Sequence, residues 1–175
     1  MLKTCSIKSK NYSDDWETPP ELLLSTLPTI LPTKSTIWEP FVGISNRSTK
    51  VYKQLGHTVH ETTCDFFTID KWPLDSSGKA MILVSNPPFS RKFEVLDRLF
   101  QFKQPFAILL PSWVFSSATV RKMIKKHDID IQLVIPNMRT HYFNTEGQQV
   151  RKTAFDSAYI AYGLPLKYPI TYIKP

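Results

Sequence analysis

The sequence predicts one α/β domain built on a mostly parallel sheet with an antiparallel edge strand. Two apolar runs, Ala80-Met81-Ile82-Leu83-Val84 and Phe106-Ala107-Ile108-Leu109-Leu110, lack polar alternation, the pattern of strands covered on both faces. A strand-like run at 36–41 passes through a turn containing Gly43 into a helical segment, the opening unit of many nucleotide-binding sheets. Segments with helical periodicity, 90–100 and 118–127, alternate with these strands.

Length and composition bound the rest. With 175 residues, 42% hydrophobic and 13% aromatic, the chain has enough apolar material for one packed core. Residues 1–13 are polar and basic and read as a flexible arm, leaving 14–175 as a single domain. A net charge of +7 favours polyanionic partners, nucleic acid first among them. Two cysteines, Cys5 and Cys64, cannot build a disulfide scaffold. No apolar run is long enough for a membrane span, and the first ten residues lack the apolar core of a signal peptide. A soluble, intracellular protein of cytoplasm or nucleus is expected.

Taken in order, Thr18 reads as an N-cap, with Pro19 first in the helix and Glu21 three residues past the cap. That helix would turn Leu22, Leu23, Leu24 and Leu27 inward and stop before Pro28. Strand 36–41 breaks at Pro40; a helix over 46–55 ends at Gly56. Strand 57–61 follows, and His57 and His60, three apart on it, point to opposite faces, so no metal site is expected. A polar loop, 70–79, leads to strand 80–84. The next helix carries Phe93, Leu96, Leu99 and Phe100 inward, and strand 106–110 ends at Pro111-Ser112-Trp113. Helix 118–127 sets Arg121, Lys122, Lys125 and Lys126 outward. Strands are expected at 129–136 and, with alternating character, at 153–162. The basic, aromatic stretch 137–152 between them is too long for a tight hairpin. After Gly163 the tail is expected to pack over the surface.

The stretch that organises the chain is Ser85-Asn86-Pro87-Pro88-Phe89, directly after strand 80–84. Two prolines fix φ near −65° and remove two N–H groups, giving a stiff corner whose carbonyls point outward. Asn86 Oδ1 and the Pro87 carbonyl can grip an exocyclic amine while Phe89 stacks on the same flat base.

This corner resembles the catalytic motif Asp/Asn/Ser-Pro-Pro-aromatic of S-adenosylmethionine-dependent amino-methyltransferases. Trp16-Glu17-Thr18-Pro19 is similar to the start of phage-type DNA adenine methyltransferases, where it packs beside the methionine part of the cofactor. Glu39-Pro40-Phe41-Val42-Gly43 resembles their cofactor turn, although Ser45 stands where a second glycine is usual. The resemblance implies a Rossmann-like class I methyltransferase domain with S-adenosylmethionine as cofactor. It implies that Glu61 accepts the ribose hydroxyls and that Asp65 and Phe66 meet the adenine. It assigns Asn86, Pro87, Pro88 and Phe89 to catalysis, with Asn86 also beside the cofactor. The expected reaction is methylation of adenine N6 in nucleic acid, DNA rather than RNA, in a compact phage- or virus-type enzyme. Arg91, Lys92, Arg139, His141, Tyr142, Arg151 and Lys152 are the expected nucleic-acid contacts. No stretch remains for a separate target-recognition domain, which leaves that task to the 137–152 loop and basic helix, to a partner subunit or a homodimer, or to an enzyme that discriminates little. RNA adenine, a protein glutamine amide, or nucleic-acid binding with weakened catalysis remain the alternatives, the last because Ser45 adds a β-carbon beside the cofactor.

Overall fold

The computed structural model describes residues 14, 16–62, 64–150 and 155–174. Cys5, Arg151, Lys152 and the arm at 1–13 lie outside them. In chain order the elements are α1 (Pro20–Ile30), β1 (Thr36–Glu39), α2 (Arg47–Gln54), β2 (Thr58–Glu61), β3 (Ile82–Ser85), α3 (Lys92–Phe102), β4 (Phe106–Pro111), α4 (Ala118–His127), β5 (Gln132–Ile135), β6 (Ser157–Tyr162) and β7 (Ile170–Tyr172). Single 3-10 turns at Phe66–Thr68, Phe89–Arg91 and Ser112–Val114 follow the ends of β2, β3 and β4.

The strands form one sheet ordered β2-β1-β3-β4-β6-β5-β7. All pairs are parallel except those of β6, which runs against both β4 and β5. The α/β class and mostly parallel sheet are therefore as the sequence predicts. The reversed strand lies inside the sheet rather than at its edge. Its expected alternation is overridden there, because neighbours on both sides bury every residue from Ser157 to Ala161. The tail adds β7 beside β5 as an edge strand instead of merely lying on the surface.

Period-two geometry divides the core. Ala107 and Leu109 of β4 face the layer of Leu22, Leu27 and Ile30 of α1 and Tyr52 of α2. Phe106, Ile108 and Leu110 face Val95, Leu96 and Leu99 of α3 and Val120 of α4. Six consecutive buried residues make β4 the spine of the fold.

Helix α1 corrects two expectations. Pro19, not Thr18, occupies the cap position and makes no side-chain cap bond, and Pro28 lies within the helix. Pro28 is tolerated near the helix end because the carbonyl it leaves unbonded, that of Leu24, is on the outward side; Leu24 is exposed, not inward. The stretch after β5 also closes more tightly than its length implied. Residues 142–150 form a hairpin with a Phe143–Gln149 bridge and a Val150 N–H to Tyr142 carbonyl bond of 2.8 Å. Asn144 Oδ1 accepts the Glu146 and Gln148 amides, and Gly147 takes φ +75°, which supplies the turn the residue count hid. On its other side Phe143 pairs with Glu17.

Candidate active site

Strand β1 pairs with β2 on one side and β3 on the other, so the strand order reverses there. Crevices at the carboxyl ends of strands around such a reversal are the usual ligand sites of α/β sheets. A cleft opens at this place, lined by Pro40, Phe41, Val42, Gly43 and Ile44 after β1, by Cys64, Asp65 and Phe66 after β2, and by Asn86 and Pro88 after β3. The leading segment, Asp14, Trp16 and Glu17, closes its fourth side. The empty space, counted out to solvent, is about 820 Å³. An inner recess adds Thr18, Glu39, Arg47 and Ser48.

The corner after β3 is held by the leading segment. Asn86 Nδ2 donates to the Trp16 carbonyl at 2.6 Å. This bond fixes the amide's orientation and leaves Oδ1 buried with no hydrogen-bond partner among the described residues. A buried acceptor without a donor is uncommon in a folded protein. Asp14 Oδ1 accepts the Ser90 amide at 3.0 Å, and its other oxygen accepts the Ser90 hydroxyl. Pro87 is buried beneath the corner. Phe89 is half-buried, edge-on to Tyr142 at 5.8 Å and to Phe155 at 5.7 Å.

The opposite wall is aromatic. Phe41 and Phe66 meet at 5.0 Å between ring centroids, and Trp38 backs Phe66 at 5.8 Å. Asp65 caps the following turn by accepting the Phe67 amide at 3.0 Å, which commits one carboxylate oxygen.

The glycine turn is occupied from within. The Glu17 carboxylate accepts the Ser45 amide at 2.7 Å, the Ser45 hydroxyl, and Arg47 Nε at 3.1 Å. Burial works against its charge, yet these bonds from Ser45 and Arg47 hold its pKa below the usual carboxylate value. Sequence reasoning gave Glu17, Asp14 and Arg47 no role. The one available signal was Ser45, whose hydroxyl in a glycine's place implies a polar partner.

Several predicted residues have partners within the protein. Glu39 is fully buried, accepting the Phe41 amide at 3.0 Å together with the Ser85 hydroxyl, and it supports the turn from below. Burial pushes its pKa up to about 7. Glu61 sits beside Glu39 in the strand register but is not among the cleft-lining residues; it pairs with Lys53 at 3.4 Å. Tyr142, expected to meet bases, is buried with its hydroxyl 2.7 Å from Ser157 Oγ. The cause is its packing between Trp16 and Phe89. Arg91 stacks on Phe67 and pairs with Glu94, Lys92 donates to the Phe89 carbonyl, and Arg139 is exposed 3.5 Å from Asp156. His141 is half-buried, its Nδ1 without a hydrogen-bond partner among the described residues.

Among the described residues no three His, Cys, Asp or Glu side chains gather as a metal ion would require, and no helix is long and apolar enough to cross a membrane. No protein-family profile and no curated protein matches this sequence. Solved structures do match in fold. One is a Listeria monocytogenes protein provisionally named a class I S-adenosylmethionine-dependent methyltransferase, with TM-score 0.53 and 12% identity over 92% of this chain. A second is the methyltransferase subunit of a type I restriction-modification system from Streptococcus thermophilus, with TM-score 0.46 and 12% identity over 90% of this chain. This chain spans 66% of the first and 47% of the second. The domain has the class I methyltransferase fold.

Proposed function

We propose that this protein transfers the methyl group of S-adenosylmethionine to the N6 amine of adenine in nucleic acid, DNA rather than RNA. The observation that carries the reading is the buried Oδ1 of Asn86, without a partner among the described residues and fixed on a diproline corner at the end of β3. The residues present fit the cofactor: an aromatic wall of Phe41 and Phe66 suits a purine face, and one Asp65 carboxylate oxygen has no hydrogen-bond partner among the described residues. That cofactor supplies a methyl group already activated on a sulfonium.

The protein's part is then positioning and polarisation. An adenine amine is a weak nucleophile because its lone pair is delocalised into the ring. Asn86 Oδ1 accepts one amine hydrogen and the Pro87 carbonyl the other, which favours the pyramidal form and localises the lone pair. Both acceptors are preorganised, one by Trp16 and one by the proline φ angles, so neither has to reorient during reaction. Phe89 is the corner's aromatic ring for the base, held in place by Tyr142 and Phe155. The basic residues around the corner, with the chain's net charge of +7, suit a phosphate backbone.

Mass spectrometry of nucleosides from DNA and RNA, incubated with the protein and cofactor, tests the reading. N6-methyladenine is expected with the wild-type chain and not with Asn86→Ala. Methyl label appearing only in a protein pool would overturn the nucleic-acid assignment.

A further inference from the structure

Three donors converge beside Gly43: the Ser45 amide, the Ser45 hydroxyl and Arg47 Nε. Together they form a seat for a two-oxygen anion, and the carboxylate of Glu17 fills it. The Glu17 side chain is nine-tenths buried there, with 10% of its surface exposed.

The bare glycine marks the conflict. A β-carbon on Gly43 would lie 2.5 Å from Glu17 Oε1 and 2.8 Å from its Cγ. The approach that glycine permits is therefore used by the chain's own side chain. A ligand lying on the same face and Glu17 cannot be present together.

We infer that Glu17 is an exchangeable plug, whose carboxylate holds the seat until a nucleoside ligand bearing its own carboxylate displaces it. The inference rests on the methyl-donor reading above, because the amino-acid end of that donor carries such a group. The exchange is balanced in charge: Arg47 and Ser45 trade one carboxylate for another, and Glu17 turns out towards water. Arg47 does not follow it, since its guanidinium also lies 4.0 Å over the Phe143 ring. Only the side chain has to move, because the Glu17 backbone is pinned to Phe143 by two hydrogen bonds of 2.9 Å. Nucleosides lacking a carboxylate meet a filled seat and cannot empty it. The plug thus favours the complete donor over its fragments.

Calorimetric titration with two probes tests this: S-adenosylhomocysteine, which has the carboxylate, and 5′-methylthioadenosine, which does not. If the seat is free about one-tenth of the time, Glu17→Ala tightens S-adenosylhomocysteine about tenfold. It leaves 5′-methylthioadenosine within about twofold on the same argument. Arg47→Ala weakens only the first probe. Should Glu17→Ala fail to fold, Glu17→Gln keeps the size and some bonds to Ser45, and an intermediate gain for the first probe is expected. Weaker S-adenosylhomocysteine binding in Glu17→Ala would make the residue a ligand contact and overturn the plug. Equal shifts for both probes would overturn it too, making Glu17 a support for the whole cleft. Binding of neither probe to the wild-type chain would remove the donor reading and the plug with it, an outcome distinct from selective loss.

Discussion

Across seventy positions of sequence, Asn86 Nδ2 lies 2.6 Å from the Trp16 carbonyl oxygen. One amide thereby does two jobs: its nitrogen ties the leading segment to the diproline corner, and its oxygen is left to accept. Asparagine serves both needs, whereas aspartate keeps only the acceptor and sets a carboxylate oxygen against a carbonyl.

The two jobs separate in a pair of variants. Asn86→Asp and Asn86→Ala both release Trp16, so both lose a similar few-fold in cofactor affinity, since Trp16 lines the cleft. Loss of one preorganised polar contact costs about 100-fold or more in turnover, so Asn86→Ala falls by at least that while Asn86→Asp stays within about tenfold of wild type. Single-turnover methyl transfer beside calorimetry reads both quantities. Equal loss of turnover in the two variants would show that the acceptor is not what the reaction uses.

Of the three acidic residues expected at the cofactor, Glu39, Glu61 and Asp65, geometry sets the last two apart. Asp65 lines the cleft, while Glu61 spends its charge on exposed Lys53. Such a surface pair contributes roughly 0–1 kcal/mol, so Glu61→Ala is expected to leave cofactor affinity within about twofold. Asp65→Ala loses a cleft carboxylate and the cap of the next turn, and is expected to weaken cofactor binding about tenfold, the worth of one charge-assisted hydrogen bond. A large loss at Glu61 instead would mean that it leaves Lys53 to reach the ribose.

The contrast shows what was legible in the sequence. The strands β3 and β4, helix α4 and the diproline corner carry their own local signals: apolar runs, a basic amphipathic face and fixed φ angles. Cleft residues such as Pro40, Phe41, Gly43, Asp65 and Phe66 are reached through the resemblance of their short motifs to those of amino-methyltransferases. What stayed hidden depends on partners far along the chain. Tyr142 reads as a surface aromatic until Trp16 and Phe89 close on it, and Glu17 carries no role until Ser45 and Arg47 meet it. The position of β6 inside the sheet likewise depends on pairing order, which local alternation does not encode.

The nucleic-acid proposal has an electrostatic signature. If Arg139, Arg151 and Lys152 each neutralise one phosphate, replacing all three with alanine lowers the slope of log affinity against log salt by about 2.7 on duplex DNA, at roughly 0.9 per contact. Arg139 is exposed beside the exposed Asp156, a pair that is easily exchanged for phosphate. Fluorescence anisotropy with a short duplex at several salt concentrations gives the slope. An unchanged slope in the triple variant removes these residues from the interface and shifts the task to Arg91 and Lys92.

Glu39 makes stability depend on pH in a direction opposite to most carboxylates. Its pKa rises from 4.5 to about 7, first through burial, with the neighbouring charge of Glu61 adding to it, and bonds from Ser85, Phe41 and Tyr52 only partly offset the rise. Between those two values the folded chain keeps a proton that the unfolded chain has released. The folded state therefore binds more protons, and stability falls as pH climbs from 4.5 to about 7, then levels. The shift corresponds to roughly 3 kcal/mol across the window, an upper figure. Glu39→Gln cannot titrate, so the stability difference between variant and wild type should grow in favour of the variant over that window and stay constant above it. Urea unfolding of both proteins at pH 5, 6, 7 and 8 isolates this difference, because groups not coupled to Glu39 titrate alike in the two. Parallel curves would mean that Glu39 is ionised in the fold throughout, its charge held by the Phe41 amide and the Ser85 and Tyr52 hydroxyls.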